Sequence, residues 1–169
     1  LRQFHQKKIL LEIIDATIEG MEESDTCKPI FLKMSPDEKN STIEDVIDVS
    51  LSKKLDALII SNTTIERPKF LKNKYRYEKG GLSGQPLFQE STRLLKNVYN
   101  ISNGKIDLIG VGGVENANQA YTKILVGASF VQLYTGLLFQ GPKIVKVITK
   151  KILKYLKRDG YKTINAVSY

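Results

Sequence analysis

Four short apolar runs, 30-IFLKMS-35, 57-ALIISN-62, 106-IDLIGV-111 and 129-SFVQLY-134, are each followed by a stretch of different periodicity, and this alternation restricts the fold more than any other feature. About six apolar residues bounded by turn formers make a strand, and the first run lies between Pro29 and Pro36. The intervening segments 41–54, 89–102, 115–127 and 143–158 carry the 3.6-residue apolar period of helices, as does a leading segment, 9–21. In 41-STIEDVIDVSLSKK-54 a Ser/Thr cap with an acidic residue three positions on predicts the helix start, and Ile43, Val46, Ile47 and Leu51 share one face. Gly127 is expected to close the helix over 115–127. The pattern is four βα units behind a leading helix. Strands apolar on both sides and alternating with helices predict an α/β fold with a parallel sheet covered on both faces.

Two architectures satisfy this pattern, an open doubly wound sheet and a (β/α)8 barrel. Polar and glycine residues cluster directly after the strands, at 61-SNTT-64, 112-GGV-114 and 134-YTG-136. In a barrel these all meet at the C-terminal mouth, where active sites sit. A whole barrel takes about 250 residues, so 169 residues are expected to supply about the last four of its eight βα units. The dinucleotide-binding alternative fares worse. In 110-GVGGVE-115 the third glycine of G-x-G-x-x-G is replaced by Glu115, whose carboxylate would repel a pyrophosphate at the following helix N-terminus.

Composition sets outer limits. With 41% hydrophobic and 26% charged residues the chain is globular, and 26 Lys+Arg against 18 Asp+Glu leave +8, an excess suited to phosphate, nucleic acid or an anionic membrane. The lysine-rich amphipathic segment 143–158, with Ile144, Val145, Ile148, Ile152 and Leu156 on one face, reads as a solvated final helix. The basic residues are dispersed and no aromatic RNA platform is visible, so no nucleic-acid partner is expected. Cys27, the single cysteine, reads as an inert loop thiol, and His5, the single histidine, has no Cys or second His beside it to make a metal site. No apolar run approaches the ~20 residues of a membrane span, and 1-LRQFHQKK-8 lacks the apolar core of a signal peptide. A soluble chain is expected, with a natural start upstream of Leu1.

The stretch 77-YEKGGLSGQPL-87 places three glycines and a proline inside a lysine-rich run, which suits either a surface turn or a loop that lets backbone approach a ligand. Its neighbours decide between them. Taken in order with 32-LKMSPD-37, 61-SNTT-64, 110-GVGGV-114, 127-GAS-129 and 132-QLYTGLLFQGP-142, the string 80-GGLSGQPL-87 strongly resembles the C-terminal half of class 2 dihydroorotate dehydrogenase. The resemblance covers residues from about 28 to 165. Its most specific parts are G-G-L-S-G-x-P-L and Q-L-Y-T.

The family resembled is a flavoprotein (β/α)8 barrel of pyrimidine biosynthesis that oxidises dihydroorotate to orotate with FMN and passes the electrons to a quinone. The resemblance implies that Lys33 contacts the flavin, where a cation near the pyrimidine end of the ring would stabilise negative charge on the reduced cofactor. The neighbours Phe31, Leu32 and Met34 predict that Lys33 is buried. By resemblance Asn62 and Thr63 bind substrate, an amide being able to read the alternating C=O and N–H edge of a dihydropyrimidine. Ser61 would face the flavin, Gly84 would touch it from the glycine loop, and Gly113, Tyr134 and Thr135 would hold the FMN phosphate after the last two strands. That arrangement agrees with the general position of phosphate sites in such barrels. A plain core aromatic is the competing reading of Tyr134.

In the family the serine that removes the substrate proton follows the fourth strand, and that position lies upstream of residue 1, as does the amphipathic segment that docks the enzyme on the mitochondrial inner membrane and forms the quinone tunnel. No catalytic base is therefore expected in this chain, which by itself is expected to be inactive without the N-terminal half of the barrel. The end, 164-INAVSY-169, is also shorter than the family's usual tail. Two alternatives stay open: a non-catalytic phosphate-binding half-barrel that assembles with itself or a partner, and, more distantly, an FMN barrel acting on tRNA uridines.

Overall fold

In a computed structural model, which describes residues 6–167, β1 (Phe31–Met34), β2 (Ala57–Ile60), β3 (Asp107–Gly110) and β4 (Phe130–Val131) form one parallel sheet in the order β1-β2-β3-β4. Each strand pairs with the next in sequence, and Lys33, Ile59, Ile109 and Phe130 stand in one row across the register. A doubly wound sheet reverses its winding at a switch point. This sheet never reverses, which is the winding of a barrel wall.

The helices are α1 (Lys7–Glu23), α2 (Asn40–Ser52), α3 (Phe88–Ser102), α4 (Ala117–Leu125), α5 (Thr135–Gln140) and α6 (Lys143–Arg158). The expected segments are all present, while α5, a short helix inside 132-QLYTGLLFQGP-142, was not foreseen. Strand β4 is reduced to two paired residues, flanked by the bonds Ser129 N–H to Leu108 O at 2.8 Å and Gln132 N–H to Gly110 O at 2.9 Å. The Ser/Thr cap expected for α2 does not form. The helix starts at Asn40 with Lys39 in the cap position and no side-chain bond to it. Asn116 does cap α4, accepting from Gln119 N–H at 3.0 Å, and Gly127 follows that helix as expected. His5 lies outside the described residues, and Cys27 is exposed.

The core divides into two clusters. In one, Leu10 and Ile14 of α1, Ile43, Val46 and Ile47 of α2, and Leu94, Leu95 and Val98 of α3 cover Met34, Leu58, Ile60 and Leu108 of the sheet. In the other, Ala117, Ala120, Tyr121 and Ile124 of α4 meet Ile144, Ile148, Ile152 and Leu156 of α6, a strict four-residue spacing that leaves Val145 exposed rather than on the buried face. The expectation of a sheet covered on both sides fails. Among the described residues helices lie on one face only, and on the other Phe31, Lys33 and Phe130 are exposed. The cause is the winding, because a sheet wound in one sense stacks every crossover helix on the same side. Among the described residues no helix is long and apolar enough to cross a membrane.

Candidate functional site

The C-terminal ends of all four strands open into one cavity of about 450 Å³. Lys33 reaches it from β1, Ser61, Asn62 and Thr63 from the end of β2, and Gly84 from the glycine loop. Gly113 enters after β3, and Tyr134 with Thr135 after β4. All eight residues singled out in the sequence therefore line a single space.

The loops around it are tied to one another. Asp37, just after β1, accepts from the Thr64 hydroxyl and from Ile65 N–H at 3.0 Å, so the β1 loop holds the β2 loop. Thr64 and Leu82 exchange backbone bonds of 3.2 and 2.7 Å in an isolated antiparallel bridge that lays the glycine loop beside the end of β2. The excursion between them is knitted by one guanidinium: Arg67 donates to the carbonyls of Arg76 at 2.9 Å, Glu78 at 3.1 Å and Gly80 at 2.7 Å. Thr135 Oγ1 lies 3.1 Å from Ser83 Oγ and joins the glycine loop to the end of β4. The stretch that could have been a surface turn is a wall of the cavity.

The cavity floor is apolar, with Leu87, Val111, Val114 and Leu133, and its rim is hydroxyl, amide and glycine backbone. Among the lining residues Lys33 carries the sole charge, so the space favours an anion or an electron-rich ring over a cation. Lys33 is exposed to the cavity, not buried as expected. It stands on the helix-free face, in the same alternation as exposed Phe31. Ser61 is buried, its hydroxyl donating to Asn62 O at 2.9 Å, while Asn62 Oδ1 accepts from Thr63 N–H at 2.9 Å. Tyr134 is 79% exposed, which removes the reading of a core aromatic.

At the far end of the cavity Gly113 has φ +72°, a conformation that costs L side chains about 1 kcal/mol or more, and a Cβ there would fall within 2.6 Å of the Phe88 backbone. Glycine is required for α3 to start this close to the loop. Among the described residues the amides of Gly112 and Gly113 donate to no backbone or side-chain acceptor. Loop amides left without a protein acceptor at a cavity wall form a cradle for an anion.

Two functional candidates escaped sequence reading. Ser91, on α3, and Lys123, on α4, are both buried behind the loop after β3, and Lys123 is fully buried. Burial without a carboxylate partner pushes the Lys123 ammonium down to a pKa of about 7. The sequence offered only a weak sign, a lysine on the flank of the stripe formed by Ala117, Ala120, Tyr121 and Ile124.

Comparison with known proteins agrees with this arrangement. The sequence profile of the dihydroorotate dehydrogenase family matches residues 1–156. The mitochondrial dihydroorotate dehydrogenase (quinone) of Arabidopsis thaliana is 43% identical over 162 residues, covering 95% of this chain and 35% of that protein. The dihydroorotate dehydrogenase (quinone) of Brucella anthropi is 40% identical over 171 residues, covering 99% of this chain and 47% of that one. The crystal structure of DHODH from Eimeria tenella in complex with ferulenol superposes with a TM-score of 0.92 at 32% identity, over 99% of this chain and 49% of that chain. The chain thus spans less than half the length of these relatives. A singly wound parallel sheet, a cavity at its C-terminal edge built from the expected loops, and a profile matched along nearly the whole sequence lead to one conclusion: this chain belongs to the dihydroorotate dehydrogenase family.

Proposed function

We propose that this chain supplies the C-terminal half of a flavin-binding (β/α)8 barrel in a quinone-dependent dihydroorotate dehydrogenase, working in pyrimidine biosynthesis. The observation that carries the reading is the meeting of all eight residues in one cavity with a single cation and unpartnered glycine amides. The donor set fits FMN. An apolar floor suits the ring, the Gly112–Gly113 amides with the Thr135 hydroxyl suit a phosphate, and no carboxylate lines the cavity to oppose either.

FMN held there would supply the redox chemistry that links dihydroorotate to a quinone. The chain's own residues bind and orient. Asn62 offers an amide to the substrate's alternating polar edge, and its carbonyl is steadied by Thr63 N–H, which leaves the NH2 end to donate. Thr63 adds one hydroxyl. Lys33 provides positive charge where negative charge accumulates, a contribution worth most in a space closed to water. Tyr134 and Thr135 flank the phosphate end. The base that takes the substrate proton belongs to the barrel's N-terminal half, the partner this reading requires. The plant relatives are mitochondrial by name, and we place this protein in the mitochondrion, at the inner membrane.

The full-length protein should be yellow, and anaerobic dihydroorotate should bleach its flavin absorbance until a quinone restores it. A colourless protein that takes up no FMN, or a flavin that dihydroorotate leaves oxidised, would remove the assignment.

A further inference from the structure

A fully buried ammonium with no acidic partner is costly, and protein interiors keep one only where its bonds are used. Lys123 is such a group. Its Nζ donates to Ser91 Oγ at 2.7 Å and approaches Val111 O at 3.4 Å, and it lies 5.4 Å from the centre of the Phe88 ring. Space for its stem is left by Gly110 on β3, where a Cβ would come within 3.2 Å of Lys123 Cβ and Cδ.

The bonds run onward to the loop. Ser91 Oγ accepts from the ammonium, so its own hydrogen must point elsewhere, toward Gly112 O at 3.1 Å or Phe88 O at 3.2 Å. Phe88 O already accepts from Thr92 Oγ1 at 2.6 Å, which leaves Gly112 O as the acceptor in need. In a trans peptide C=O and N–H point in opposite directions. Holding the Gly112 carbonyl toward α3 turns the Gly113 amide away from the helix and toward the cavity.

We infer that Lys123, acting through Ser91, is the positioning residue that sets the Gly112–Gly113 peptide for an anion, and that the charge of its ammonium form favours the dianionic phosphate of the ligand over the same ligand without it. The inference rests on the flavin-binding reading above and deepens it. Lys123 does not touch the ligand. Its charge acts from beneath the loop, across a region where water does not screen it.

The test is a pair of titrations on the full-length protein stripped of flavin, with FMN and with riboflavin, which carries the same ring and no phosphate. In Lys123→Met, which keeps the stem and removes the charge, FMN affinity should fall at least about tenfold while riboflavin affinity stays within a factor of about three, an effect the size of one charge-assisted bond. Ser91→Ala should move the ratio the same way by less, since the ammonium remains, and it serves as the second variant if Lys123→Met does not fold. Equal losses for both ligands would mean that the lysine only packs the helix against the loop, and unchanged FMN affinity would likewise overturn the inference. Wild-type protein that binds neither ligand would instead remove the flavin reading itself.

Discussion

The two faces of the sheet obey different rules. Behind it, Met34, Leu58, Ile60 and Leu108 are sealed under helices with no exposure at all, and the charged group among them, Lys123, is fixed by named bonds. In front, Phe31 is 48% exposed and Phe130 64%, and the charged group, Lys33, faces an open cavity. Each strand carries apolar residues toward both sides, and a parallel sheet with two apolar faces is stable only when both are covered. The difference separates structure from function. The helix-covered face is sealed by this chain's own helices, whereas the open face carries the cavity residues and has no helical cover among the described residues.

The sharpest way to break that contrast is to ask the open face to work alone. The isolated 169-residue chain should bind FMN roughly 10³-fold more weakly than the full-length protein. Each polar contact missing from the ligand's other side leaves a desolvated group at about 1–3 kcal/mol, and two or three such losses make that factor. Calorimetric titration measures it directly. A micromolar dissociation constant or better would show that one wall suffices, and would favour a self-sufficient phosphate-binding half-barrel.

The same contrast explains what the sequence disclosed. Strand and helix periodicities are local, so the helix segments and the order of the βα units were legible before any tertiary contact was known. So were the polar and glycine clusters 61–64, 112–114 and 134–136, because residues after barrel strands converge by topology, whereas Lys33, Gly84 and the individual roles came only from the resemblance to the family. What stayed hidden depends on neighbours distant in sequence. Lys33 was expected to be buried because its neighbours are apolar, yet its exposure is set by which face of the sheet the helices take. Ser91 reads as one more polar residue in 89-QESTRLLKNVYN-100, and Lys123 as one more surface lysine, until α3 and α4 close over the loop after β3. The α2 cap failed at Ser41 because the helix begins a residue earlier, at Asn40, a boundary error that propensity cannot resolve.

A smaller effect is expected from a single side chain on the open face. In the full-length protein Lys33→Ala should slow reduction of bound flavin by dihydroorotate on the order of 10²-fold, the loss typical of removing one preorganised charge-stabilising group. The melting temperature should change little, because Lys33 stands outside both core clusters. Stopped-flow reduction of the flavin-loaded variant separates the two accounts. A rate within threefold of wild type, with a lowered melting temperature, would make Lys33 a strand prop and blur the distinction between the faces.

The smallest effect should come from the covered side and show only in stability. Tyr121 on α4 donates to Asp159 Oδ2 at 2.8 Å, while Arg158 holds the same carboxylate at 2.7 and 2.9 Å, so this tether ties α4 to the end of α6. The Arg158 bonds, and then the Tyr121 bond, draw the Asp159 pKa down to about 2. The unfolded chain therefore binds more protons than the folded one between about pH 4 and pH 2, so the tether's contribution is whole above that window and is lost as pH falls through it. Tyr121→Phe removes one bond without opening a cavity and leaves Asp159 with Arg158. At neutral pH it should lower the melting temperature by roughly 2–4 °C, the shift that one modest hydrogen bond produces in a domain of this size. The gap to wild type should narrow as the pH is taken from 7 toward 3, and the preference for FMN over riboflavin should not move. A pH-independent gap would mean that the loss is one of packing rather than of the carboxylate bond. A change in ligand preference would show that the covered face reaches the cavity by a route other than Lys123 and Ser91.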